Sequence, residues 1–166
     1  MSELDGWRTC PRCEAELVAE PGAVRCSACG LVVYAKPAAA ACALPVDDDG
    51  RVLLARRAEE PGVGAWDVIG GFIEEFEQPL DALRRELREE LGVEVEPLEF
   101  VVAVSDRYGE DGAATLNLCW TARIVSGEPQ PSAELQEIRW FAPDELPSRE
   151  EFAFPNCHVM VTSWRR

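Results

Sequence analysis

Short apolar runs separated by turn residues make up most of the chain from residue 37 onward. The runs at 38–46 and 52–57 flank the sequence Asp-Asp-Asp-Gly, and this arrangement predicts a β-hairpin. A shorter stretch at 66–69 ends at the Gly70-Gly71 pair, which predicts a break in the extended backbone. Further extended segments are predicted at 98–105, 115–124 and 137–141.

The apolar positions change to a helical spacing between Pro79 and Leu91. Proline is favoured in the first turn of a helix, and Gly92 is a typical residue just past the last turn. The predicted apolar stripe of this helix consists of Leu80, Leu83, Leu87 and Leu91. A shorter helix is predicted to begin at Pro155. Strands and helices are therefore mixed, and an α/β or α+β sandwich is expected.

The composition bounds the size and the partners of the protein. A chain of 166 residues with 47% hydrophobic residues has enough apolar side chains for one domain of ordinary size with a small appendage. Its 16 basic and 31 acidic residues give a net charge of −15. Because such a surface repels polyanions, we expect no general binding of nucleic acid or of anionic membranes.

The N-terminal sequence and the lengths of the apolar runs indicate where the protein resides. No run approaches the roughly 20 apolar residues of a membrane-spanning helix. The first residues are acidic, whereas a signal peptide is basic and then apolar. We therefore expect a soluble, cytoplasmic protein.

The cysteines near the N-terminus form two Cys-x-x-Cys pairs, Cys10 with Cys13 and Cys26 with Cys29. Paired turns of this kind present four thiolates in the tetrahedral arrangement that Zn²⁺ prefers. The alternatives are a redox-active dithiol or bound iron. A segment this short cannot build a sufficient core, so the metal would supply its folding energy. We expect a structural zinc ribbon over residues 1–36 and the main domain over 37–166. A zinc-ribbon nucleic-acid adaptor is a further possible function, but the acidic charge disfavours it.

The predicted helix at 79–91 carries a cluster of carboxylates. At about 100 degrees per residue, Glu86, Glu89 and Glu90 share an arc of about 100 degrees beside the leucine stripe. Carboxylates this close repel one another unless a cation or an arginine neutralises them. For a helix without further context, a solvated and ion-paired face is the simpler interpretation.

The surrounding spacing favours a cation site. From Gly71, five residues lead to Glu77, seven more lead to Arg85-Glu86-Leu87, and Glu89-Glu90, Leu91, Gly92 and Val93 follow. This segment resembles the Nudix box, Gly-x5-Glu-x7-Arg-Glu-U-x-Glu-Glu-x-Gly-U with U aliphatic, at every specified position. The resemblance extends over about residues 37–147, through Trp66-Asp67 before the box and Trp140-Phe141 after it.

The resemblance implies an α/β/α sandwich with a mixed sheet, and an enzyme that uses Mg²⁺ or Mn²⁺. It implies hydrolysis of a small nucleotide, a nucleoside diphosphate linked to another group, such as ADP-ribose, a dinucleotide cofactor or a nucleotide sugar. By the same resemblance Glu86, Glu89 and Glu90 hold the metal with the carbonyl of Gly71, and Glu77 meets Arg85. A homodimer is a further expectation from the family.

Residues outside the box are assigned more loosely. Glu134 matches a glutamate that often precedes the downstream tryptophan. It is either the base of the reaction or a metal ligand, or else it is an ordinary exposed acid of a loop. Candidate contacts to phosphate or base are Arg57, Arg107 and Tyr108. The chain has Phe76 where the family usually has glycine, which would alter the loop if a positive φ is needed there. A non-catalytic nucleotide sensor is the rival interpretation, which the complete set of glutamates disfavours.

Overall fold

The computed structural model describes residues 3–109 and 112–165. The chain forms two compact units, one ending at Pro37 and the other beginning at Ala38. In the described part of the chain, no helix is both long enough and apolar enough to cross a bilayer.

The N-terminal unit is a small antiparallel sheet. Its strands β1 (Leu17–Glu20), β2 (Ala23–Cys26) and β3 (Val32–Tyr34) lie in the order β1-β2-β3. Its buried cluster consists of Leu4, Cys10, Leu17, Val24 and Cys26. Two of these residues are cysteines, so the apolar core alone is small, as expected for a metal-dependent fold.

The second unit is built on a four-stranded mixed sheet in the order β7-β4-β9-β8. Its strands are β4 (Ala38–Pro45), β7 (Ile69–Phe72), β8 (Glu94–Arg107) and β9 (Ala114–Ser126). Strands β4 and β9 run parallel, and the other neighbours are antiparallel. A three-stranded antiparallel sheet, β10-β5-β6, contains β5 (Val52–Arg57), β6 (Trp66–Asp67) and β10 (Leu135–Phe141).

Helices cover both faces of the four-stranded sheet. Alternate residues of β4 point to opposite faces, as the pleat requires. Ala41 and Ala43 join a core cluster with α1 (Pro79–Leu91), whereas Cys42 and Leu44 join a cluster with α2 (Pro155–Trp164). The expected mixed α+β sandwich is therefore confirmed.

The predicted hairpin between the first two runs is wrong. Strand β4 already pairs with β7 on one edge and with β9 on the other, so no edge is left for β5. Strand β5 pairs with β6 and β10 instead, and a single bridge between Val46 and Val52 is what remains of the hairpin. The turn itself forms, with the Asp47 carboxylate accepting hydrogen bonds from the Asp49 and Arg51 amides.

The predicted bounds of α1 are confirmed, and Gly92 ends it with a φ of 70°. Its buried residues are Ala82, Leu83, Leu87 and Leu91. Leu80 was expected in this stripe but is exposed. Leu80 lies at the same angle around the helix as the buried leucines, but it is in the first turn. The angle alone does not show which turns of a helix are covered by the rest of the protein.

Candidate active site

A cavity of about 430 Å³ in the second unit collects most of the residues singled out from the sequence. The predicted site residues that line it are Arg57, Gly71, Glu86, Glu90, Arg107, Tyr108 and Glu134. Glu89 is not among the lining residues, and its side chain is 59% exposed. The three box glutamates of the helix therefore divide into two that face the cavity, Glu86 and Glu90, and one that faces solvent, Glu89.

The glycine pair lets the carboxylates of α1 approach the edge strand. Gly70 and Gly71 lie inside β7, paired with Cys42 and Ala41, so the predicted break is wrong. A Cβ at Gly71 would overlap the carboxylate of Glu86, and one at Gly70 would overlap the carbonyl oxygen of Ala41. At Gly70 only a residue without a side chain fits, because the overlap is with backbone atoms, whereas a side chain at Gly71 would displace the Glu86 carboxylate.

The cavity carboxylates lie in a setting that resists their ionisation. Burial, followed by the charge of Glu86, raises the pKa of Glu90 to about 8. Burial also raises the pKa of Glu86 above its usual value. Glu90 Oε2 accepts a hydrogen bond of 3.3 Å from the Gly70 amide, and this is its one hydrogen bond among the described residues.

These two carboxylates fit a hard divalent cation. Carboxylate and carbonyl oxygens are the ligands that Mg²⁺ and Mn²⁺ prefer, and a cation would offset the burial and the repulsion that raise both pKa values. A thiol or imidazole set would favour a softer metal. The donor chemistry is therefore that expected of a magnesium or manganese site.

Arg85 braces the loop that leads into α1. Its guanidinium donates to both carboxylate oxygens of Glu77 at 2.9 Å and to the carbonyl of Phe72 at 3.0 Å. The hydrogen bonds from Arg85, together with one from the Glu74 amide, lower the pKa of Glu77 to about 2. Phe76 has a φ of 66°, a left-handed conformation that glycine adopts readily, so the loop has a positive φ at this residue although it is not glycine.

Arg85 also reaches the box glutamates. It donates to Glu86 Oε1 at 2.8 Å and to Glu89 Oε2 at 3.1 Å. The ion-paired helix face considered from the sequence thus forms around Arg85, but Glu90 takes no part in it. The pairing therefore leaves one cavity carboxylate without a cationic partner among the described residues.

Backbone hydrogen bonds hold the loop that carries Glu134. The amides of Gln130 and Ser132 donate to the carbonyls of Leu91 and Glu90, at the C-terminal end of α1. The Ala58 amide donates to the carbonyl of Glu134 itself at 2.8 Å. The loop is thus anchored at both ends, and the exposed side chain of Glu134 lies beside the cavity.

Arg57 already has several hydrogen-bond partners within the protein, unlike an arginine that is free to contact a phosphate. It donates to Asp67 Oδ2 at 2.9 Å, to the Pro61 carbonyl at 2.6 Å and to the Tyr108 hydroxyl at 3.2 Å. Its guanidinium also lies 5.3 Å from the centre of the Phe154 ring. Arg57 therefore positions Tyr108 at the cavity, and its charge is shared with Asp67.

Arg107, by contrast, is exposed. Its guanidinium donates to the carbonyl of Gly112, and it lines the cavity. Its charge has no carboxylate partner among the described residues, so it remains available to an anionic ligand.

The four N-terminal cysteines form a compact cluster. Their Sγ atoms all lie within 4.8 Å of one another, with 3.7 Å between Cys10 and Cys29 and 3.5 Å between Cys13 and Cys26. A tetrahedron with metal–sulfur bonds of about 2.3 Å has edges of about 3.8 Å. The Cys29 amide donates to Cys26 Sγ and is the largest cause that lowers the Cys26 pKa to about 6, which favours the thiolate. The cluster fits a tetrathiolate zinc site.

Sequence reasoning missed part of the cavity. Asp67, Asn117, Asn156 and Cys157 line it, and the first three are polar residues that are largely buried. Asn117 stands between Leu116 and Leu118 in β9, and this alternation would predict an outward-facing asparagine, so the local pattern held no signal for it. Cys157 is buried, and its thiol donates to Asp67 Oδ1 at 3.0 Å.

The comparisons with known proteins agree with this geometry. A family model described as the NUDIX domain matches residues 36–160. The NAD-capped RNA hydrolase NudC of Stutzerimonas stutzeri is 30% identical over 145 residues, which cover 85% of this chain and 50% of that protein. The nucleoside triphosphatase NudI of Escherichia coli K12 is 31% identical over 112 residues, or 61% of this chain and 79% of that protein.

Solved structures show the same fold. A NUDIX hydrolase from Nitrosomonas europaea superposes with a TM-score of 0.74 at 25% identity, covering 96% of this chain and 89% of that one. A MutT NUDIX hydrolase from Burkholderia pseudomallei gives a TM-score of 0.69 at 28% identity, covering 77% and 98%. The chain spans about half the length of the NudC relatives that it matches.

Proposed function

The chain belongs to the NUDIX family, and on that premise we propose that it hydrolyses a nucleoside diphosphate linked to another group, with Mg²⁺ or Mn²⁺. ADP-ribose, dinucleotide cofactors and nucleotide sugars are the substrate classes proposed. The observation that carries the proposal is the pair of cavity carboxylates, Glu86 and Glu90, whose ionisation is disfavoured without a cation.

The metal would be held by the residues around the glycine pair. Glu86 and Glu90, one helical turn apart, are the main ligands in this proposal, with the Gly71 carbonyl beside them. Glu89, which faces solvent, would act as a further ligand or through a bridging water. When bound, the cation neutralises the diphosphate, polarises phosphorus and lowers the pKa of the attacking water.

The other residues of the cavity have roles in binding and proton transfer. Glu134 is proposed to take the proton of the attacking water, because its loop is held against the end of α1 beside the two carboxylates. Arg107 would meet a phosphate oxygen, since its guanidinium is exposed and has no carboxylate partner in the described chain. Arg57 would support Tyr108, which lines the cavity, and Tyr108 would contact the substrate.

The four cysteines are proposed to bind structural Zn²⁺. Their separations and the hydrogen bond to Cys26 Sγ support a zinc site, and the small apolar core of this unit gives the metal a role in folding. Catalysis is assigned to the second unit, which contains the whole cavity.

The names of the relatives add two kinds of substrate to those that should be tested. One acts on NAD-capped RNA and another on nucleoside triphosphates. The first weakens the expectation that no nucleic acid is bound, although a net charge of −15 still opposes extended contact with RNA. A small molecule remains the proposed substrate, since a cavity of about 430 Å³ lies within the range of small-molecule sites.

The test is a product assay with purified protein. ADP-ribose, NADH, FAD, nucleotide sugars, nucleoside triphosphates and NAD-capped RNA are each incubated with Mg²⁺ or Mn²⁺, and the products are resolved by chromatography. We expect cleavage within the diphosphate of one class, abolished by chelation of the metal. A folded, zinc-loaded protein that cleaves none of them would contradict the proposal and favour a nucleotide sensor.

A further inference from the structure

Two buried asparagines line the cavity on the side opposite the box helix. Asn117 of β9 is 7% exposed, and Asn156 in the first turn of α2 is 6% exposed. Asn117 lies in register with Ala40 and, across β4, with Phe72. The carboxylates of the proposed metal site come from α1, which covers the other face of the sheet.

The hydrogen bonds of Asn117 fix the direction of its carboxamide. Its Nδ2 donates to the Val104 carbonyl at 3.3 Å and to Thr115 Oγ1 at 3.0 Å. The Thr115 hydroxyl in turn donates to the Asp106 carbonyl, so it must accept from Asn117. A flipped amide would bring Oδ1 against the Val104 carbonyl, and both are acceptors. Asn117 therefore presents Oδ1, an acceptor, to the cavity.

Asn156 presents the opposite group of its amide to the cavity. Its Oδ1 lies 3.2 Å from the thiol of Cys157, which is the available donor there and is shared with Asp67. Its backbone amide donates to Asp106 Oδ2 at 3.0 Å, which fixes the first turn of α2. The Nδ2 of Asn156 makes no hydrogen bond within the described residues, so this residue presents a donor.

Both groups face the cavity, where a polar ligand can reach them. Buried side-chain amides are normally satisfied on both sides, and an unmet donor or acceptor costs about 1–3 kcal/mol. Here each asparagine uses one side of its amide on the protein and turns the other side to the cavity. That pattern is typical of a site that recognises a ligand by hydrogen bonds.

We propose that Asn117 and Asn156 read the edge of the nucleobase, one accepting an N–H of the base and the other donating to a neighbouring ring nitrogen or carbonyl. The planar ring has aromatic neighbours at the cavity, since Phe72 and Tyr108 both line it with ring centres 5.5 Å apart. Every base offers a donor beside an acceptor, but the order of the two along the edge and the size of the ring differ between bases. A fixed acceptor and donor in a cavity of fixed size therefore prefers one base. This inference rests on the proposed function, because it places a nucleotide in the cavity.

The test measures base preference by equilibrium binding, so that it does not depend on turnover. ADP, GDP, CDP and UDP are titrated into the full chain by calorimetry, with Ca²⁺ as the divalent cation. The variants are Asn117→Leu and Asn156→Leu. Thr121→Val is the matched control, because Thr121 is a buried polar residue of the same strand whose hydroxyl bonds to the Glu99 backbone away from the cavity.

We expect the wild type to bind one nucleoside diphosphate about 10-fold more tightly than the others, the effect of one or two well-placed hydrogen bonds. Each asparagine variant should reduce that preference to about 3-fold or less, and Thr121→Val should keep it. Equal weakening for all four nucleotides, an unchanged preference in the variants, or no preference in the wild type would overturn the inference.

Failure of the proposed function gives a different result. Base-selective binding that both asparagines control, without hydrolysis of the corresponding diphosphate compounds, would contradict the enzyme and leave the base reading intact. Hydrolysis without base preference would contradict the base reading alone.

Discussion

The backbone at Phe76 is strained, and a single substitution is expected to release that strain. Phe76 has a φ of 66° and a side chain that is 92% exposed. The left-handed conformation costs a residue with a Cβ about 1–2 kcal/mol, whereas glycine adopts it freely. Glycine adds a conformational-entropy cost of about 0.5–1 kcal/mol on folding. Because so exposed a ring contributes little packing, Phe76→Gly should raise the free energy of unfolding by about 0.5–1 kcal/mol.

Urea denaturation at a fixed metal concentration measures this change, with the slope of the transition expected to stay constant. Phe76→Ala is the matched control. Alanine removes the ring but keeps the Cβ, so its stability should stay within about 0.5 kcal/mol of the wild type. A loss of stability in Phe76→Gly, or an equal gain in Phe76→Ala, would refute the assignment of strain to this residue.

Three further outcomes are expected. Gly71→Ala should raise the Mg²⁺ concentration needed for half-maximal activity, because its Cβ overlaps the Glu86 carboxylate; an unchanged requirement would place the metal elsewhere. Glu77→Gln should be less stable than the wild type above pH 4.5, and the difference should vanish as the pH falls towards 2, since Arg85 keeps Glu77 ionised in the folded state. A constant difference in thermal unfolding would contradict this. Metal analysis should find about one zinc per chain and its loss in Cys29→Ser.

The sequence predicted the elements of the fold better than their pairing. Local signals set the bounds of α1, where Pro79 opens the helix and Gly92 ends it. The partner of β5 depends on which edges of β4 are free, and that is decided by β7 and β9, far away in the chain. Turn residues between β4 and β5 therefore indicated a turn correctly and a hairpin wrongly.

The candidate site shows the same division. Fixed spacing within one helix and the preceding loop was enough to single out Glu86, Glu90 and Gly71, which the fold brings to one cavity. Asn117 and Asn156 come from separate elements, and nothing in their local sequence shows that they meet. Their roles follow from hydrogen bonds across β8, β9 and α2, which only the folded structure provides.

The central claim is that the box carboxylates hold the metal that hydrolyses a diphosphate, and Glu90→Gln tests it most directly. This change keeps the shape of a side chain whose one described hydrogen bond is to the Gly70 amide, and it removes the charge. With the best substrate and Mg²⁺, we predict a fall in turnover of at least about 100-fold with folding retained. Glu75→Gln, an exposed change on the loop that precedes α1, should leave the rate unchanged. A Glu90→Gln protein that turns over substrate like the wild type would contradict the account.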